Sequence, residues 1–166
     1  MAPADLLLPL EGQREETLRL LEGLTEADLD QDAANGRSVG QLLTHLIERD
    51  QQVVAAINLA LSGDVQHLSD DERERLRFLQ EERPPTAGWD VARLKAEFSQ
   101  VRRQLRETFA AMPEEDLDRA IRWPGWPART IRTSIPYMLE HEDSHLDELR
   151  QALERRAGGA SSVLRR

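Results

Sequence analysis

Apolar residues recur at spacings of three and four along four long stretches of this chain, and no stretch reads as a convincing strand. That period belongs to helices with one buried face. The first stretch covers about residues 8–24 through Leu10, Thr17, Leu18, Leu20, Leu21 and Leu24, with Pro9 tolerable in its first turn. The second opens at Ser38, where Ser38-Val39-Gly40-Gln41 makes a capping-box pattern. It continues through Leu42, Leu43, Leu46, Ile47, Val53, Val54 and Ile57 to about residue 61. The third covers about residues 90–111, with Val91, Leu94, Phe98, Val101, Leu105 and Phe109 on its stripe, and the fourth about residues 130–156. Four such stripes must be buried against one another, so the expected fold is all-α, a four-helix bundle with short connecting helices.

The segments between are weaker. Residues 69–82 open on Ser69 with an acidic first turn and predict a short connecting helix, ended by Pro84-Pro85. Trp123-Pro124-Gly125-Trp126-Pro127 cannot be helical and predicts a structured loop into the last helix. Gly158, Gly159 and residues 161–166 read as a frayed tail, which leaves one domain over 1–157 and a flexible tail over 158–166. Leu24-Thr25-Glu26-Ala27-Asp28-Leu29-Asp30 and Met112-Pro113-Glu114-Glu115-Asp116-Leu117-Asp118 are alike, and each leads to a helix bearing histidine. Shared capping chemistry accounts for the likeness, and so does a pseudo-repeat of two hairpins that would bring the second and fourth helices together. Pro136 kinks the fourth helix if that helix starts near Thr130, and sits harmlessly in the first turn if Ser134 is the cap.

Composition narrows the function. A chain of 166 residues is long enough to bury one core. Its net charge of −9 argues against a nucleic-acid partner, because phosphate binding needs basic surface. There is no cysteine, so disulfides, Cys-ligated zinc and an internal thiol nucleophile are excluded. Any metal must be held by His and carboxylate. The opening MAPADLLLPLEG has no basic n-region and too short an apolar run for a signal peptide or membrane span, which predicts no membrane partner and a cytoplasmic location.

Four histidines are present: His45, His67, His141 and His145. His67 lies in a polar connector. His141 and His145 are four apart, hence on one helix face one turn apart, where two imidazoles can reach one ion at roughly 2.0–2.1 Å. The stripe of the last helix is set by Ile131, Ile135, Met138, Leu139, Leu146, Leu149 and Leu153. His145 borders that stripe, His141 lies further round its edge, and Glu142 falls near its middle. On the second helix His45 borders the stripe and Asp50 falls inside it. A carboxylate aimed at a core is costly unless it is paired or bound to something.

His141-Glu142-Asp143-Ser144-His145 matches the H-E-x-x-H pattern of zinc proteases. Those enzymes need a third ligand further along and usually an edge strand to lay out the substrate peptide. Only 21 residues follow His145, none of them histidine, and Glu148 lies just three residues on along the same helix. The protease reading fails on those grounds.

LEGLTEADLD, SVGQLLTHLIERD with its His-Leu, and TIRTSIPYMLEHEDSH with its Glu-His-Glu-x-x-His together resemble the DinB/YfiT-like family of metal-dependent four-helix-bundle proteins. The resemblance spans nearly the whole chain. It implies a divalent metal held by one histidine of the second helix and two of the last, here His45, His141 and His145. Arg37 stands where the family often has Trp, and Leu146-Asp147-Glu148 where it often has a basic-Gly-Gln run.

Three histidines leave a coordination position open, as in catalytic zinc sites, and an all-nitrogen shell suits Zn²⁺ or Ni²⁺ better than Fe²⁺. The activity the resemblance implies is a metal-dependent S-transferase joining an external low-molecular-weight thiol to a small-molecule electrophile. Glu142 and Asp50 are then the candidate catalytic acids in the pocket, and Trp123 and Trp126 candidates for its mouth. The competing expectation is a non-catalytic metal-binding or stress-response bundle acting as an interaction module. A homodimer through an apolar bundle face is expected in either case.

Overall fold

The computed structural model describes residues 3–33, 35–62, 89–121 and 129–163, with side chains to Arg155. Among these the chain forms four long helices, α1 (Leu8–Glu22), α2 (Val39–Leu61), α3 (Val91–Ala110) and α4 (Ile131–Val163). Short 3₁₀ turns over Pro3–Leu7, Glu26–Asp28 and Glu114–Asp118 join or precede them. The protein is a four-helix bundle. The expected connecting helix at 69–82, His67 and the loop with Trp123 and Trp126 lie outside the described residues.

Helix starts follow local chemistry. The Ser38 hydroxyl accepts from the Gln41 N–H at 3.3 Å while the Gln41 side chain accepts from the Ser38 N–H at 2.7 Å, the expected capping box. Asp90 caps α3 by accepting from the Arg93 N–H at 2.7 Å. Gly40 donates to the Leu29 carbonyl at 2.9 Å, and a Cβ added there would stand 3.3 Å from that oxygen. Glycine lets the first turn of α2 dock this closely, and a larger residue would need the preceding turn to give by a few tenths of an ångström.

Two sequence expectations change, and one open alternative is decided. A two-residue antiparallel pair, β1 (Ala120–Ile121) with β2 (Arg129–Thr130), stands where no strand is predicted. Two residues are too few to show the alternation that marks a strand in sequence. Pro136 lies inside α4, which begins at Ile131. The start is stabilised by a reciprocal pair in which the Thr130 hydroxyl accepts from the Thr133 N–H at 3.2 Å and the Thr133 hydroxyl from the Thr130 N–H at 2.9 Å. Finally, α4 runs on to Val163 instead of ending near residue 156. Gly158 and Gly159 lower helix propensity but keep their N–H donors, so unlike proline they do not force a stop.

Around the bundle the helices run α1, α4, α2, α3, with the largest contacts between α2 and α3 and between α1 and α4. The consecutive pair α1 and α2 therefore lies across the bundle, not side by side as short up-and-down loops would give. This order puts α2 against α4, which is what a site shared by His45 and the His141/His145 pair needs.

The core is in two halves. One holds Leu10, Val53, Ile57, Leu105, Phe109, Ile131 and Ile135; the other holds Leu21, Leu42, Leu43, Ile47, Leu94, Phe98 and Leu149. Each buried side chain of this size stabilises the fold by about 1.5–3 kcal/mol. Between the halves, at the same level on all four helices, lie Arg14 and Thr17, Asp50, Arg102 and Glu142, all buried.

Candidate metal centre

His45 lies in the second turn of α2, and His141 and His145 face it from α4. His45 Nε2 is 3.4 Å from His141 Nε2, and His145 Nε2 is 3.3 Å from the same atom. Among the described residues these three form the group whose ligand atoms all lie within 4.8 Å of one another. A tetrahedron with arms of about 2.0–2.1 Å has an edge of about 3.3–3.4 Å, so both separations are those of two nitrogens on one zinc-like ion. The rings are tilted or edge-on, with centroids 4.5 to 5.3 Å apart, so they do not stack to fill the space between them.

The tautomers also suit a cation. His145 Nδ1 lies 2.8 Å from Glu148 Oε2, and only the nitrogen can donate to a carboxylate, so Nδ1 carries the proton and a neutral His145 turns the Nε2 lone pair inward. Glu148 is in turn held by the Asn35 side-chain amide at 3.3 Å. A carboxylate behind a ligating imidazole is the usual means of fixing its orientation. Burial pushes the His45 ring down to about 3, helped by Arg37 and by the other two histidines. Burial likewise lowers His141 to about 4, with His145, Arg49 and Arg37 adding to it. Both rings are therefore uncharged at neutral pH. Neutral imidazoles meeting nitrogen to nitrogen can share at most one proton per contact, and the remaining lone pairs repel unless a cation lies among them. The donor set thus fits a divalent metal, and the three side chains that would hold it are His45, His141 and His145.

Beside the histidines is a small pocket of about 20 Å³ lined by Leu46, Arg49, Asp50, Val53, Tyr137, Met138, His141 and Glu142. That is the room a single water or small polar group needs. Tyr137 stacks on His141, with centroids 6.1 Å apart and planes at 25°, and the Arg129 guanidinium lies 4.4 Å over the Tyr137 ring.

The two acids are where the helical stripes place them, but they are not alone. Arg14 from α1 reaches Asp50 at 3.1 Å and Glu142 at 3.6 Å; Arg102 from α3 reaches Asp50 at 2.9 Å and Glu142 at 2.8 Å. Thr17 adds a hydroxyl donor to Glu142 at 3.2 Å. Arg102 Nη1 donates to Glu142 at 2.9 Å, whereas its Nε, though close to Asp50, is not aimed well enough to be a hydrogen bond, so that contact is ionic. Burial lowers Arg14 to about 10, with Asp50 and Glu142 opposing it, so it remains charged at neutral pH. Arg102 also lies 4.0 Å over the Phe98 ring.

Sequence reasoning finds the two acids and misses the two arginines, although the signal was present. Leu10, Arg14, Thr17 and Leu21 recur at the same spacing as Phe98, Arg102, Leu105 and Phe109, so each arginine occupies a core position of its helix. The test that singles out Asp50 and Glu142 would have singled them out as well.

With this geometry in view the relatives can be placed. The model of the DinB superfamily matches residues 10–149, and the chain belongs to that family. It is 25% identical over 151 residues to the uncharacterised protein YuaE of Bacillus subtilis (strain 168), covering 86% of this chain and 93% of YuaE. Its fold superposes on YfiT from Bacillus subtilis with a TM-score of 0.70 at 18% identity, covering 94% of this chain and 87% of that one. YfiT is described as a probable metal-dependent hydrolase with an unusual four-helix bundle topology.

Proposed function

We propose that this protein is a divalent-metal-dependent enzyme acting on small molecules, with His45, His141 and His145 as the metal ligands. The observation that carries the reading is the convergence of three imidazole nitrogens beside a small pocket, with His45 Nε2 and His145 Nε2 each at a tetrahedral-edge distance from His141 Nε2. A Zn²⁺ or Ni²⁺ ion bound there would lower the pKa of a water or thiol in its open position and supply a nucleophile near neutral pH.

The chain's own residues divide the remaining work. Glu148 holds the proton of His145 on Nδ1 and orients the ring. Tyr137 packs against His141 and, with Leu46, Val53 and Met138, walls the pocket. Asp50 and Glu142 reach the same pocket while both arginines hold them. A carboxylate gripped in this way is a poor candidate for proton transfer and a good one for orientation, so we assign both acids that role in place of the catalytic one.

The reaction we favour is transfer of an external low-molecular-weight thiol to a small electrophile. A chain with no cysteine must draw any thiol from outside, and the pocket admits a small head group. Hydrolysis is the second reading. It is favoured by the description of YfiT and by a pocket the size of one water.

Metal content by mass spectrometry, on protein purified without chelator or nickel resin, tests the common part. Near-stoichiometric metal in the parent and its loss in His45→Ala/His141→Ala/His145→Ala are expected. A parent that takes up neither Zn²⁺ nor Ni²⁺ sinks the proposal and leaves an interaction bundle. Thiol consumption with a model electrophile against hydrolysis of a model ester, on the metal-loaded protein, then separates the two reactions.

A further inference from the structure

The quartet of Arg14, Asp50, Arg102 and Glu142 has a geometry that packing alone does not call for. Each of the four helices contributes one member, the charges alternate, and each carboxylate touches both guanidiniums. The four lie between the two apolar halves of the core. Buried ion pairs of this kind rarely add stability over apolar residues of similar volume, because the desolvation of each charge offsets the attraction. What they do impose is a single arrangement.

Two members are also neighbours of the histidines. Glu142 follows His141 directly and lies within the turn that separates it from His145, and Asp50 is five residues beyond His45 on α2. Turning α2 or α4 by one residue swings its side chains by about 100°, enough to carry an imidazole out of the cluster. Apolar packing keeps each helix's stripe inward but specifies its exact rotation and height only loosely, since cores lose uniqueness before they lose stability. Two carboxylates held between two guanidiniums specify both more closely.

We propose that the quartet is the positioning device of the three-histidine site. Arg14 and Arg102, acting through Asp50 and Glu142, set the rotation and height of α2 and α4 at which the three Nε2 atoms meet. This inference rests on the metal reading for its function, but its geometric content can be tested without a metal.

The test compares the parent with Arg14→Met/Asp50→Leu/Arg102→Met/Glu142→Leu, which fills the layer with apolar side chains, and with Arg14→Lys/Arg102→Lys, which keeps the charges and loses the planar fork. Three quantities are read on each: the urea midpoint, the Co²⁺ dissociation constant with its visible spectrum, and the cross-relaxation between His45 and the His141 and His145 rings in metal-free protein. The apolar variant is expected to hold or raise its urea midpoint. Co²⁺ should bind about 10–100-fold more weakly, as when groups that orient metal ligands are removed, with an altered spectrum and lost ring–ring contacts. The lysine variant should lie between the two, and it decides the matter if the apolar variant does not fold.

Retained ring contacts and a Co²⁺ affinity within about 2-fold of the parent would overturn the proposal, whatever happens to the midpoint. A parent without ring contacts would overturn it too. A parent that shows the contacts but binds no Co²⁺ defeats the metal reading alone, and the ring contacts of the variants then decide the positioning role.

Discussion

Asp50 and Glu142 are each touched by two guanidiniums, whereas the three histidines on the same two helices present their Nε2 atoms to one another. The first group is buried and its charges cancel. The second is partly open to solvent, and burial keeps His45 and His141 uncharged at neutral pH. Both are polar clusters at helix interfaces; the carboxylates of the first face guanidiniums of the same chain, whereas the Nε2 atoms of the second face one another. Polar residues in a core do not by themselves mark a reactive centre, and the useful question is whether their partners are already present.

The largest effect should come from breaking the balanced cluster. Arg102→Leu leaves two buried carboxylates facing Arg14 alone and should cost about 3–5 kcal/mol of stability in urea unfolding. A loss below about 1 kcal/mol would mean that the layer is wetter or looser than the geometry implies. The converse applies to the histidines, where His45→Ala should abolish stoichiometric metal while leaving the metal-free protein folded.

Glu148→Gln sharpens the contrast. It removes the carboxylate behind His145 and should weaken metal binding about 10–100-fold by titration, with little change in the urea midpoint of metal-free protein. Equal affinity would mean that Asn35 or solvent orients the ring as well.

Acid should act on the histidine cluster. His45 and His141 titrate near 3 and 4 in the folded protein against 6.5 when exposed, so the unfolded chain takes up protons first. Their contribution to stability is fully present above about pH 6.5 and is lost as the pH falls through 4 toward 3. The urea midpoint of metal-free protein should fall across that window, and His45→Gln/His141→Gln should flatten that part of the profile.

The smallest effect belongs to a site that touches neither cluster. Ser38→Ala removes the hydroxyl that caps α2 and should cost about 1 kcal/mol. Metal affinity should not move, since later turns of α2 carry His45. A loss of affinity would show that the cap helps place the histidine.

The local chemistry of this chain is legible without its fold. Spacings of three and four mark α1 to α4, Ser38 and Asp90 start two of them, and the four-residue step from His141 to His145 puts both rings on one face. All of these follow from the geometry of a helix and its unpaired terminal groups, which a short window of sequence contains. The strand pair at 120–121 and 129–130 is invisible because two residues carry no period. The full extent of α4 is missed because glycine discourages a helix without ending it.

What the tertiary structure decided is partnership. Sequence places Asp50 and Glu142 in the core but cannot say that Arg14 and Arg102 meet them, because those contacts span 36 and 40 residues or more. It likewise cannot fix the helix order α1, α4, α2, α3 that brings His45 to His141, 96 residues away. Periodicity reports which face of a helix is buried. Only packing settles which buried faces touch, because many arrangements cover the same apolar area and few of them also pair every charge.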